Sequence, residues 1–84
     1  MSSLYDSLRD LSLRLESMTR LRDELSMSMT LDGSGGITFL HTTDVYELAQ
    51  EVAGGGEDLE KSARAVVALM EREFPEIDWS RHQL

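Results

Sequence analysis

Apolar residues recur at alternating intervals of four and three from the start of the chain: Leu4, Leu8, Leu11, Leu15, Met18 and Leu25, with Arg22 at the one seam position that is not apolar. This is the spacing of a coiled-coil seam, and it predicts one long helix over residues 4–25, which contain no Gly or Pro. Leu21 widens the stripe, and Leu13 falls outside it, where it would meet a second surface. Asp6, Asp10 and Arg14 on the polar face give helix-surface pairing worth only a few tenths of a kcal/mol, on the order of 0.3 per pair.

The period then shortens to two. Met27, Met29 and Leu31 alternate with Ser28 and Thr30, and Ile37 and Phe39 flank Thr38 beyond the loop Asp32-Gly33-Ser34-Gly35-Gly36. Two alternating runs around a glycine-rich loop predict a β-hairpin, since glycine supplies the positive φ such turns need. Met and Ser are poor strand formers, so the competing expectation is a helix that frays into a linker. A hairpin is not stable alone, so its Met/Ile/Phe face must lie on helices or on another copy.

Helical spacing returns with Val45, Leu48, Ala49 and Val52, where Asp44 is the expected N-cap with Glu47 three residues on. Gly54-Gly55-Gly56 ends that helix, because three glycines cost too much backbone entropy in a helix interior. A further helix is expected from Glu57 to Phe74, with Leu59, Ala63, Val66, Met70 and Phe74 as its stripe and Pro75 as its stop. Residues 75–84 form a short tail, either flexible or folded back on the helices, with Ile77 and Trp79 as its large apolar groups. The order α-β-β-α-α gives a mainly helical α+β class in a single small domain.

At 84 residues such a domain is marginally stable without help from disulfides, a metal or a partner. There is no Cys, and the only imidazoles are His41 and His82, so neither a disulfide nor a metal is expected. Absence of Cys suits a reducing compartment. The segment MSSLYDSLRD lacks the features of a signal peptide, and no run is long and apolar enough to span a bilayer. A cytoplasmic protein is the expectation. The apolar supply is generous for one small bundle, which favours a homodimer.

Charge changes this picture mainly through its placement. The formal net charge is −8. Residues 1–29 carry five acids against four arginines, whereas residues 30–84 carry eleven acids against Lys61, Arg64, Arg72 and Arg81. Asp44, Glu47, Glu51, Glu57, Asp58 and Glu60 follow one another with no base between them. Such a surface repels phosphate backbones and anionic lipids and complements a basic protein surface. The plainer reading is a solvated face that serves solubility.

Little in the sequence points to catalysis. A nucleophile, a base and an orienting group must converge, and the nearest approach is His41 beside Thr42, Thr43 and Asp44. Its plainer reading is a strand end followed by a helix cap. The glycine-rich loop is no P-loop, since no Lys or Arg occurs from Met27 to Glu60. Nor is it a calcium loop: the sixth position from Asp32 is Ile37 and the twelfth is Thr43, where Gly and Glu are needed. No cofactor is expected. Trp79 is the first candidate contact, because aromatic anchors dominate binding hot spots; alternatively Ile77 and Trp79 fold back over the helices as a lid.

Two functions fit these features. The first is a small, non-enzymatic protein-binding module, an inhibitor or regulator that presents an acidic surface to a basic target. Small acidic proteins can mimic nucleic-acid charge and block a nucleic-acid-binding machine, as some phage and mobile-element anti-defence proteins of the anti-CRISPR type do. The likeness is one of size and charge, not of sequence. The second is an assembly adaptor, small subunit or chaperone that acts through the coiled-coil seam Leu4, Leu8, Leu11, Leu15 and Met18.

Overall fold

The structure, a computed structural model, describes residues 3–83, the side chains of Glu57 and Asp58 excepted. Four helices flank a two-stranded hairpin in chain order: α1 (Leu4–Arg14), α2 (Thr19–Ser28), β1 (Met29–Leu31), β2 (Ile37–Phe39), α3 (Thr42–Ala53) and α4 (Glu57–Glu73), followed by a 3-10 turn at Trp79–Arg81. The mainly helical α+β class is therefore as the sequence predicts. The helix expected over residues 4–25 is broken in two.

α1 starts where Ser3 caps it, its hydroxyl accepting from the Asp6 N–H at 3.1 Å, with Asp6 at the positive end of the helix. Leu4, Leu8, Leu11 and Leu15 then enter the core, the last three fully buried. At residues 15–18 the chain turns: the Glu16 N–H reaches the Leu13 carbonyl and the Met18 N–H the Leu15 carbonyl, steps of three rather than four. Arg22 supplies the physical reason. A straight helix would carry its guanidinium along the seam into the core, at a prohibitive desolvation cost. The turn leaves Arg22 and Met18 outside and lets Arg22 Nη1 donate to the Glu16 carbonyl at 3.4 Å. Leu25 re-enters the core from α2.

α2 runs three residues further than the pattern suggests, through Ser28, whose hydroxyl donates to the Glu24 carbonyl at 3.0 Å. The strands are consequently short. They pair antiparallel as Met29↔Phe39, Thr30↔Thr38 and Leu31↔Ile37. Met29, Leu31, Ile37 and Phe39 face the core, and both threonines face solvent. In the loop, Asp32 Oδ1 accepts from the Ser34 N–H at 2.9 Å, the Ser34 hydroxyl at 2.8 Å and the Gly36 N–H at 2.8 Å. Those donors hold the Asp32 carboxyl below its ordinary range, the Gly36 N–H contributing most. Gly35 sits at φ +96°, where only glycine is unstrained. Tyr5 ties the hairpin to α1 by donating its phenol to the Asp32 carbonyl at 2.6 Å.

α4 packs against both α1 and α3, and α2 lies along α3. Leu59, Ala63, Val66 and Met70 of α4 meet the leucines of α1 and the Val45–Val52 face of α3 in one core. The Ser62 hydroxyl donates to Asp10 across the α1–α4 contact. That bond, more than Arg14, keeps the Asp10 carboxyl below its usual range. Phe74, which leaves helical geometry ahead of Pro75 (φ −123°, ψ 66°), meets Phe39 edge-on with ring centroids 5.4 Å apart.

Residues 75–83 fold back rather than trail away. Asp78 caps the 3-10 turn. The Trp79 indole N–H donates to the Phe74 carbonyl at 3.0 Å, and its ring lies 4.3 Å from that of Tyr46. Gln50 Nε2 donates to the His82 carbonyl at 2.7 Å. Trp79 is 7% exposed, so the lid arrangement prevails over the flexible tail.

Candidate functional site

A groove of about 660 Å³ runs between α2 and α3, lined by Glu24, Met27, Ser28, His41, Asp44, Glu47, Leu48 and Glu51. Its two walls are helical stripes. On α2, Glu24, Met27 and Ser28 lie at spacings of three and one; on α3, Asp44, Glu47, Leu48 and Glu51 lie at three, one and three. Each wall therefore presents one face, with apolar groups between carboxylates. Met27 is 72% exposed and is the apolar group of the α2 wall, standing between Glu24 and the end of the helix. His41 closes one end. It is the N-cap residue of α3, and its backbone N–H donates to the Ser28 carbonyl at 3.0 Å.

Charge within the groove is unevenly satisfied. At the far end from His41, Arg20 reaches from α2 across to α3: its Nη1 lies 2.9 Å from Glu24 Oε1 and its Nη2 lies 3.4 Å from Glu51 Oε1. Glu24 first, then Glu51, raises the guanidinium pKa above its ordinary value. Glu47 meets His82 of the folded-back tail, with Oε2 and Nδ1 3.1 Å apart. Asp44 is exposed on the first turn of α3, two residues inside the helix that it was expected to cap; the helix starts earlier because Thr42 already has helical geometry.

The acidic stretch of the sequence is thus divided by the fold. Asp44, Glu47 and Glu51 come together in the groove. Glu60 belongs to α4, none of whose described side chains lines the groove, and it pairs with Arg64 at 2.8 Å. The side chains of Glu57 and Asp58 lie outside the described residues. Glu24, Arg20, Met27 and Leu48 were not singled out from the sequence as site residues. The available signal was the 20, 24, 27, 28 spacing with a base four residues before an acid, which continues the helix into the run that alternation assigned to a strand.

The other sequence candidates are placed elsewhere. Trp79 cannot serve as an exposed aromatic anchor, because its ring is buried on Tyr46 and its N–H is satisfied within the chain. Leu4, Leu8, Leu11 and Leu15 are 7% exposed or less inside the chain's own core. They are unavailable as a seam for a second copy. Met18, at 41% exposure, is the only seam residue left on the surface, and it lies in the turn rather than on a helix. A second, shallower recess between α3 and α4 is lined by Gln50, Ala53, Gly54, Arg64, Val67, Ala68 and Glu71.

Among the described residues, no group of three or more His, Asp or Glu comes together as metal ligands, and no helix is long and apolar enough to cross a membrane. Compared with protein-family models, with curated proteins and with solved structures, the chain matches none.

Proposed function

We propose that this chain is a non-enzymatic protein-binding module, an inhibitor or regulator, that offers the α2–α3 groove to a basic surface on its target. The carrying observation is the composition of the groove: four carboxylates, Glu24, Asp44, Glu47 and Glu51, around exposed Met27 and the Leu48 side chain. Apolar floor and charged rim together are the anatomy of a protein interface, and the rim's sign selects a cationic partner and speeds its approach. Proteins that bind nucleic acid carry such cationic surfaces, so occupation of one by this chain would compete with its nucleic acid. The alternative of an adaptor acting through the α1 seam has lost its supporting feature, since those leucines are enclosed.

The test compares the native chain with an Asp44→Lys/Glu51→Lys variant as bait in cells of its source, both checked for fold by circular dichroism. A target that is retained by the native chain, lost by the variant and bound at least tenfold more weakly at 500 mM than at 100 mM salt supports the reading. An identical set of captured proteins for both baits refutes it.

A further inference from the structure

The groove already holds one cation of its own. Arg20 spans the two walls, with one guanidinium nitrogen on Glu24 of α2 and the other on Glu51 of α3. A lysine ammonium is a single point of charge, whereas the guanidinium fork engages two separate carboxylates at once. Both ion pairs are well exposed, so water and salt screen them and each holds weakly. The clamp is therefore easily opened. Beside it lie the uncovered Met27 and, further along α3, Asp44 and Glu47.

Resting on the reading of the groove as a binding surface, we infer that its occupant is an arginine-bearing amphipathic helix whose guanidinium displaces Arg20 from the Glu24–Glu51 pair. The stretch from Arg20 to Ser28 extends about 12 Å along the α2 axis at helical rise, which accommodates about two turns of a docked helix. One apolar side chain of that helix covers Met27 and Leu48. Arginines on either side of it meet Glu24 with Glu51 at one end and Asp44 with Glu47 at the other. Arg20 is then a built-in competitor: it pairs with both carboxylates, cancels one of their two charges, and leaves when a better-anchored guanidinium arrives. Charge complementarity selects this occupant over a second copy of the chain, which would bring another set of acids to the same rim.

The experiment uses a 14-residue blocked peptide of Ala, Leu and Arg, with leucines on one helical face and arginines flanking them, and a matched peptide with Lys for Arg. Binding at 150 mM salt is followed by calorimetry and by the methyl signals of 13C-labelled methionines. Three forms of the full chain are compared: native, Arg20→Gln, and Arg72→Gln, which makes the same charge change on α4. The expected result has three parts. The arginine peptide shifts the Met27 methyl, it binds Arg20→Gln at least threefold more tightly than Arg72→Gln, and the lysine peptide binds at least threefold more weakly. Equal affinities for the two variants, or for the two peptides, overturn the displacement of Arg20 while a Met27 shift leaves the groove reading standing. Absence of peptide binding to all three forms overturns the inference, and the target-capture comparison then decides the groove reading by itself.

Discussion

Trp79 provides the sharpest test of the fold, because the sequence allows two opposite roles for it. In the structure its indole is 7% exposed, lies 4.3 Å from the Tyr46 ring and donates to the Phe74 carbonyl at 3.0 Å. Replacing a buried Trp by Ala costs about 3–5 kcal/mol from lost transfer energy and the cavity left behind. A Trp on a solvated tail would cost no more than about 0.5 kcal/mol. A chain of this length has about 4–13 kcal/mol of total stability, so the substitution removes a large share of it. With about 4–8 °C of Tm per kcal/mol in a domain of this size, Trp79→Ala lowers the midpoint by at least about 12 °C. Thermal and urea unfolding by far-ultraviolet circular dichroism measures this directly. In the native chain Trp79 is the only Trp, so its fluorescence gives an independent reading: blue-shifted emission that moves to the red in the same transition. A midpoint unchanged within about 2 °C in Trp79→Ala, or native emission at the wavelength of a solvated indole, would refute the packing described above.

Two further outcomes follow from local chemistry. Tyr46 donates to Glu71 at 2.9 Å, and burial first, then Glu71, raises its phenol pKa. A raised pKa means the protonated phenol stabilises the fold fully below the unfolded value near 10 and less and less as pH climbs toward the folded value. Tyr46→Phe therefore costs about 1 kcal/mol at pH 7 and flattens the loss of stability above about pH 10, as read by urea midpoints across that range. In the hairpin loop, Gly35→Ala forces a Cβ into φ +96° and destabilises by more than about 1 kcal/mol. Gly33→Ala meets open space and is neutral or stabilising by about 0.5 kcal/mol; equal urea midpoints for the two variants would contradict the loop geometry.

The class of fold was legible because hydrophobic periodicity reports local geometry: the 4,3 stripe of α1, the alternation around the Asp32 loop and the stop at Pro75 all appear as elements. What periodicity does not report is how a helix solves a conflict in three dimensions. The stripe runs unbroken through Met18, yet the chain turns there, because continuing would have buried Arg22. Met27 alternates with Met29 and so resembles a strand residue, but the Ser28–Glu24 bond and the Arg20–Glu24 pair extend α2 over it. That same extension is why the groove escaped sequence reading. The acids of α3 were visible as a run, whereas their partner wall comes from the nearly charge-balanced first third of the chain. For Trp79 the sequence offered both an exposed contact and a lid folded back over the helices, and the position of Tyr46 shows where the ring goes.

The packing of α1 on α4 has a kinetic meaning as well as a structural one. Asp10 and Ser62, joined across that contact, are 52 residues apart, and closing a loop of that length costs about 3.5 kcal/mol in chain entropy before any core contact repays it. The helices are local and form quickly, but the apolar stripe of α1 finds its main counterpart only when α4 reaches it. Assembly is thus governed by one long-range meeting, and the unit is not divisible: a fragment cut in the Gly54–Gly56 link separates into halves that each expose an unpaired apolar face. Mixed together, those halves are candidates to complement one another, with the glycine link as the place where the chain tolerates being broken.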